Sequence, residues 1–102
     1  MTQVERIAHF EAILDRGAAA VSRLEDALAA YRALRPRLRE LEAFYTGKDW
    51  RRDCEDDEAG RLPPDRKRGV LSQDAVYDLL TDESRILREM ASLAEEAPAE
   101  RP

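Results

Sequence analysis

The sequence predicts an all-α protein in which a long, kinked amphipathic helix packs antiparallel on a C-terminal helix. The two helices form a helical hairpin or small bundle with a short-helix connector. Ala, Leu, Arg and Glu dominate the composition, and these residues favour helix. Apolar residues recur at alternating spacings of three and four, the period of one helix face, while strand-like alternation is nearly absent. At 102 residues the chain has room for one domain, expected over residues 1–96 with a frayed tail at 97–102.

The first predicted helix covers residues 3–45. Thr2 can cap its start, and Glu5, three residues on, completes a capping box. The apolar face, hereafter the N-terminal stripe, has a heptad-like spacing and is widened by Ile13, Ala20 and Ala27. Its line consists of Ile7, Phe10, Leu14, Gly17, Val21, Leu24, Leu28 and Tyr31.

The stripe changes position near Pro36. From Leu34 onward the apolar residues are Leu34, Leu38, Leu41 and Tyr45. Arg35 and Glu42 take the positions that continue the earlier line. A proline inside a helix removes one backbone hydrogen bond and disfavours helical geometry at the preceding residue. The sequence therefore predicts a kink or a one-residue break at residues 34–36, and a helix end with Gly47 as the C′ residue.

Residues 46–72 are expected to form an ordered connector. Asp49 is the predicted N-cap of a short helix that runs through Trp50 to Ala59 and is closed by Gly60. Pro63 and Pro64 then set a turn or the first turn of another short helix. The last helix is predicted at residues 73–95, with Ser72 as its N-cap and with a break at residues 81–82 left open.

The charge distribution limits the classes of partner and location. The net charge is −5, and the whole excess lies in residues 70–102, with 3 basic and 8 acidic side chains. Nucleic-acid binding needs a net basic face, so nucleic acid is an unlikely partner. The first ten residues lack the apolar run of a signal peptide, and no stretch is long enough to span a membrane. We therefore expect a cytoplasmic protein.

The residues that carry metal or catalytic chemistry do not form a recognisable motif. The acidic run at residues 53–58 fails the calcium-loop pattern, because Glu58 and Pro64 occupy the positions that require glycine and a bidentate acid. His9 has no nucleophile at a suggestive spacing. Neighbouring carboxylates should raise the pKa of Cys54, which disfavours a nucleophilic thiol. No catalytic, cofactor-binding or metal-ligating residue is assigned, and an enzyme is the less expected reading.

The run from Trp50 to Leu80 carries the elements Trp50-x-x-Asp53 and, from Gly60, GRLPPDRKRGVLSQDAVYDLL. These elements resemble the signature of the bacterial family called domain of unknown function 4298, and the long preceding helix resembles it as well. Two positions depart from the pattern: Arg66 stands where leucine is usual, and Cys54 where an aromatic residue is common. The family has no established activity, so the resemblance implies an architecture and assigns no catalytic residue.

Two functional hypotheses remain open. The first helix should extend about 64 Å and the last only about 35 Å, enough to cover the stripe back to about Val21. The uncovered residues, Ile7, Phe10, Ile13 and Leu14, would then form an interface with a second copy or a helical partner. The alternative is a ligand-binding or catalytic pocket, or simply a satellite core, built from Tyr45, Trp50, Asp53, Lys67, Arg68, Asp74 and Tyr77.

The basic cluster of the connector has two readings. Arg61, Arg66, Lys67 and Arg68 could bind a phosphate group. They follow the acidic run at residues 53–58 in the sequence, so mutual ion pairing is the simpler expectation.

Overall fold

In a computed structural model that describes residues 1–100, the protein consists of three α-helices and one short 3₁₀ helix. Helix α1 spans Gln3–Tyr45, α2 spans Lys48–Glu58, and α3 spans Gln73–Glu95. The 3₁₀ helix at Gly69–Leu71 directly precedes α3. The described residues contain no strand. The predicted all-α class and the short-helix connector are confirmed.

The start of α1 is held by the two residues that the sequence pattern indicated. The Glu5 backbone N–H donates to Thr2 Oγ1 at 3.2 Å, and the Thr2 hydroxyl donates to Glu5 Oε1 at 2.9 Å. The hydroxyl therefore satisfies one backbone donor of the first turn, as a capping residue should. The acidic Glu5 also lies where the helix dipole favours negative charge.

Helix α1 runs through Pro36 without interruption. The predicted one-residue break at residues 34–36 is therefore wrong, while the kink stays a prediction. A proline at this position has no N–H to donate to the carbonyl of Arg32, four residues earlier. The flanking turns continue the helix despite that missing hydrogen bond, because each retains its own backbone bonds.

The chain divides into two compact units. The first, Met1–Leu38, is the greater part of α1. All side chains in residues 1–30 are exposed, and Tyr31 and Leu38 are half-buried. The second unit begins at Arg39 and contains the last turns of α1 together with α2, the 3₁₀ helix and α3.

Within the second unit, the end of α1 and the start of α3 form a helical hairpin. The Tyr45 hydroxyl donates to the Gln73 carbonyl at a long distance of 3.5 Å, and Arg39 forms an ion pair with Glu83. Moving back along α1 from Tyr45 to Arg39 thus corresponds to moving forward along α3 from Gln73 to Glu83. This reversed order makes the two helices antiparallel, as predicted.

The core of the second unit is small. Val76 is the only buried hydrophobic residue among those described. Along α3, the residues that face inward recur at spacings of four and three, and Glu83 lies among them. They are Val76, Leu80, Glu83, Leu87 and Met90. Such a narrow face leaves Leu79, Ile86 and Leu93, which the sequence also placed on the apolar side, exposed.

Helix α2 begins at a different residue from the one predicted, whereas its C-terminal end agrees with the prediction. Gly47 is the N-cap and makes no side-chain capping bond, so Asp49 lies in the first turn and is not the cap. Gly47 is extended rather than left-handed, and a Cβ there would lie 3.1 Å from the Ala43 carbonyl oxygen. Gly60 has a φ of +73°, the left-handed conformation that closes a helix most easily with glycine.

Helix α3 begins and ends as a single element. The Ser72 Oγ accepts a hydrogen bond from the Ala75 N–H at 3.4 Å, which confirms Ser72 as the N-cap. The helix continues without a break at residues 81–82. Residues 97–100 have no regular structure, and the rest of the predicted frayed tail, residues 101–102, lies outside the described part of the chain.

Replacing Pro36 with alanine should stabilise the protein, because alanine restores the missing backbone donor inside a continuous helix. We expect the free energy of unfolding to rise by about 1–3 kcal/mol, measured by urea denaturation. Ser22→Ala, on the same exposed helix, is the control and should gain only about 0.5 kcal/mol from helix propensity. A loss of stability in Pro36→Ala would show that the proline is required for the conformation of α1.

Candidate functional site

The part of the connector that follows α2 is held against that helix by hydrogen bonds to two consecutive backbone carbonyls of the 3₁₀ helix. The Trp50 indole N–H donates to the Val70 carbonyl at 2.9 Å, and the Cys54 thiol donates to the Leu71 carbonyl at 3.4 Å. Trp50 and Cys54 are four residues apart on α2 and therefore share one face. The Tyr45 ring meets the Trp50 ring edge to face, with centroids 5.0 Å apart. We call these five residues the Trp50 cluster.

The acidic run and the basic cluster pair with each other across the connector. Arg61 Nη1 lies 2.8 Å from Asp56 Oδ1, and Arg68 Nη1 lies 2.6 Å from Asp57 Oδ1. Both carboxylates are half-buried, which strengthens an ion pair relative to a fully solvated one. The expectation of mutual pairing is confirmed for these two arginines. The two ion pairs hold the segment that follows α2 against this helix.

The structure accounts for part of the predicted pocket. Tyr45 and Trp50 are in contact, and Arg68 is bound to Asp57. By contrast, Lys67, Asp74 and Tyr77 are exposed, and within residues 1–100 their side chains form no hydrogen bond or ion pair. A ligand pocket shared by all the predicted residues stays a prediction.

The environment of Cys54 makes its thiol a poor nucleophile. Burial raises the pKa of the Cys54 thiol, and the nearby carboxylates of Glu58, Asp57 and Asp53 raise it further. The sequence predicted the direction from the carboxylates, but burial is the larger cause. Since the thiolate is the reactive form, a raised pKa keeps the group protonated at neutral pH.

The N-terminal stripe is exposed along the first unit. Ile7, Phe10, Ile13 and Leu14 are between 44% and 63% exposed. The stripe was expected to be covered from about Val21 onward, but Val21 is 66% exposed and Leu24 is 56% exposed, so that expectation is wrong. The exposed apolar surface is therefore longer than the sequence indicated. Leu28 and Leu34, at 40% and 53%, extend it towards the end of the unit.

His9 lies beside the stripe and contacts it through its ring. The imidazole meets the Phe10 ring edge to face, with centroids 4.9 Å apart. In the described part of the chain, no group of three or more His, Cys, Asp or Glu residues is placed to hold a metal ion. Among the same residues, no helix combines the length and apolar character needed to cross a bilayer.

Sequence reasoning missed the ion pair between Arg39 and Glu83. The Glu83 side chain is only 8% exposed, whereas that of Arg39 is 45% exposed. The available signal was the position of Glu83 between Leu80 and Leu87 on the inward face of α3. An acidic residue on such a face needs a cationic partner, because burying an unpaired carboxylate is strongly unfavourable.

Replacing Trp50 with alanine should destabilise the second unit. Trp50 is half-buried, so we expect a loss of about 2 kcal/mol in the free energy of unfolding, less than for a fully buried tryptophan. Trp50→Phe keeps an aromatic ring and removes the N–H donor, so it should lose only about 1 kcal/mol. Urea denaturation followed by circular dichroism measures both. An unchanged midpoint in Trp50→Ala would mean that the cluster does not hold the connector.

The raised pKa of Cys54 predicts slow alkylation by iodoacetamide in the folded protein. The folded pKa lies above the unfolded one, so this group favours folding at lower pH. That contribution is lost as the pH rises above the unfolded pKa. The pH profile of alkylation should therefore be displaced to higher pH relative to the chain in urea. Glu58→Gln should move it back only slightly, because burial is the larger cause. Faster alkylation of the folded protein near neutral pH would contradict this assignment.

Comparison with known proteins gives one match. The sequence profile described as Domain of unknown function (DUF4298) matches residues 7–93, which include the N-terminal stripe, the Trp50 cluster and most of α3. No curated protein and no solved structure matches the chain. The matched region spans most of the 102 residues, which confirms the resemblance seen in the Trp50–Leu80 run and in the long first helix. The chain belongs to the DUF4298 family.

Proposed function

We propose that this protein is a protein–protein interaction or assembly module that works through the N-terminal stripe. Another helix, from a second copy of the chain or from a helical partner protein, packs against the stripe. The observation that carries the proposal is the exposure of the stripe, whose large apolar side chains from Ile7 to Leu28 are 40–66% exposed. The proposal retains the bacterial, cytoplasmic setting expected from the sequence.

The physical basis is the size and regularity of this apolar surface. Single exposed hydrophobic side chains are ordinary, but a contiguous apolar surface of this length usually marks an interface. The spacing of three and four is the spacing with which one helix packs into another. Packing would also stabilise α1, since most helical stability in proteins comes from burying an apolar face.

The alternative of a ligand-binding module has less support. The Trp50 indole N–H and the Arg68 guanidinium already bind Val70 and Asp57 within the chain. A ligand that used these groups would first have to displace those contacts. The Trp50 cluster is therefore better explained as the element that holds the connector in place.

Light scattering of the protein at micromolar concentration, together with variants of the stripe, tests the proposal. Leu14→Glu should dissociate the assembly or abolish binding of a helical partner, weakening the interaction at least tenfold, because it places a charge in an apolar contact. Leu93→Glu is a matched control: the same change is made on α3, and Leu93 is 64% exposed while Leu14 is 63% exposed. It should leave the interaction unchanged.

Two results together would contradict the proposal, one on oligomeric state and one on variants of the stripe. The protein would have to be a strict monomer, and Ile7→Glu and Phe10→Glu would have to leave both stability and partner pull-down unaffected. Retained stability with lost partner binding would instead support the interaction role with a different protein.

A further inference from the structure

We propose that the occupant of the N-terminal stripe is a second copy of this chain, aligned antiparallel so that Glu11 of each copy faces Arg32 of the other. This inference rests on the proposed function and adds the partner, its direction and its register. It is carried by the charges that border the stripe and by Gly17 within it.

The stripe consists of two lines of residues, each with a period of seven. In an antiparallel pair of helices, each residue of one line faces a residue of the other line in the second copy. The first line is Ile7, Leu14, Val21 and Leu28, and the second is Phe10, Gly17, Leu24 and Tyr31. Along one border of the stripe lie Glu11, Ala18, Glu25 and Arg32, also spaced by seven and all exposed.

The border charges select one antiparallel register. When Val21 faces Leu24 of the other copy, Glu11 faces Arg32, and the two-fold symmetry produces this attractive pair twice. Ala18 then faces Glu25, a pairing that is neither attractive nor repulsive. In this alignment α1 is paired from Ile7 to Leu38, a length of about 47 Å, and the stripe residues from Leu14 to Tyr31 face one another.

The neighbouring registers are less favourable. A shift of one heptad in one direction makes Glu11 face Glu25 of the other copy, again twice, which is repulsive. A shift in the opposite direction makes Glu25 face Glu25 of the other copy, which is also repulsive. Phe10 faces a charged residue in both cases, Arg35 in the central alignment and Glu42 in the shifted one, so this contact does not distinguish them. Of these three alignments, only the central one has attractive border pairs and no like-charge pair.

Glu11 and Arg32 are available for this contact. Both are exposed, and among residues 1–100 neither forms an ion pair within its own chain. One exposed ion pair adds little to affinity, but the difference between two attractive pairs and two repulsive pairs is large enough to select the register.

Gly17 is an independent observation that points to a close helix contact. Glycine inside a helix is about 1 kcal/mol less favourable than alanine. Gly17 has no left-handed φ that would require glycine, and a Cβ built there meets nothing within 4 Å. Its own chain therefore gives no reason for it. In the proposed register Gly17 faces Leu28 of the other copy, a small residue opposite a large one, and the adjacent Ala20 faces Ala27.

Charge reversal tests the register. Glu11→Arg and Arg32→Glu should each weaken the dimer about tenfold at low salt, because two attractive pairs become two repulsive ones. The double variant, Glu11→Arg with Arg32→Glu, should restore the dissociation constant of the original protein. Glu25→Arg is the matched control on the same border and should change it less than about twofold, since it faces Ala18. Sedimentation equilibrium measures each constant.

Disulfide trapping tests the direction. In a Cys54→Ser background, a Phe10→Cys chain mixed with an Arg35→Cys chain should form the mixed disulfide under mild oxidation, because these positions face each other. Phe10→Cys alone should form little disulfide dimer, because its two copies lie about 37 Å apart along the pair. Mass spectrometry identifies the linked peptides.

The outcomes separate this inference from the proposed function. A dimer that is strengthened by Glu11→Arg would overturn the register, and a dimer that self-links through Phe10→Cys would overturn the antiparallel direction. In both cases the stripe would still be an interface. A strict monomer whose stripe variants lose a helical partner would overturn self-pairing alone. Restoration by the double charge reversal together with the mixed disulfide would establish the inference.

Discussion

Helix α1 contains 43 of the 102 residues, and its length is the constraint from which the rest of the structure follows. At about 1.5 Å per residue it extends about 64 Å, whereas α3, with 23 residues, extends about 35 Å. Among the residues that the structure describes, no other element is long enough to accompany α1 over its whole length. An apolar stripe that follows most of such a helix must therefore face water or another molecule. The first unit therefore has an exposed apolar surface and no core of its own.

The second unit folds with very little buried apolar surface. Of the residues described in it, only Val76 is buried, so polar contacts do much to fix how its helices are aligned. The Glu83 carboxylate lies on the inward face of α3 and is matched by Arg39 near the end of α1. A slip of the two helices would separate these groups and leave a nearly buried carboxylate unpaired, which is costly. The pair therefore specifies the alignment of the hairpin, while Trp50 and Arg68 hold the connector.

The sequence predicted the helices well because the residues that begin and end a helix lie within a few positions of each helix end. Thr2, Ser72 and Gly60 each have the role that their residue type indicates. Asp49 was wrongly predicted as the N-cap because Gly47, two residues earlier, could also begin α2. A Cβ at position 47 would lie 3.1 Å from the Ala43 carbonyl oxygen, so the site favours glycine, and sequence spacing does not show this crowding. The heptad period indicated the face of α1, but how far it is covered depends on tertiary placement, so Val21 and Leu24 were assigned wrongly. Likewise, the sequence placed aromatic and charged residues together in the connector, but the contacts of Trp50 with Val70 and of Arg68 with Asp57 depend on the folded structure.

The position of the single tryptophan makes the two units separately visible to spectroscopy. Trp50 and its contacts, Tyr45 and Val70, all lie in the unit that begins at Arg39, and the first unit has no tryptophan. Indole fluorescence therefore reports the docking of the connector and is blind to the long exposed part of α1. Far-ultraviolet circular dichroism sums over the backbone of both units. The two signals need not change together on dilution, heating or addition of a binding partner. Their difference, recorded on the unlabelled protein, follows events on the first unit alone.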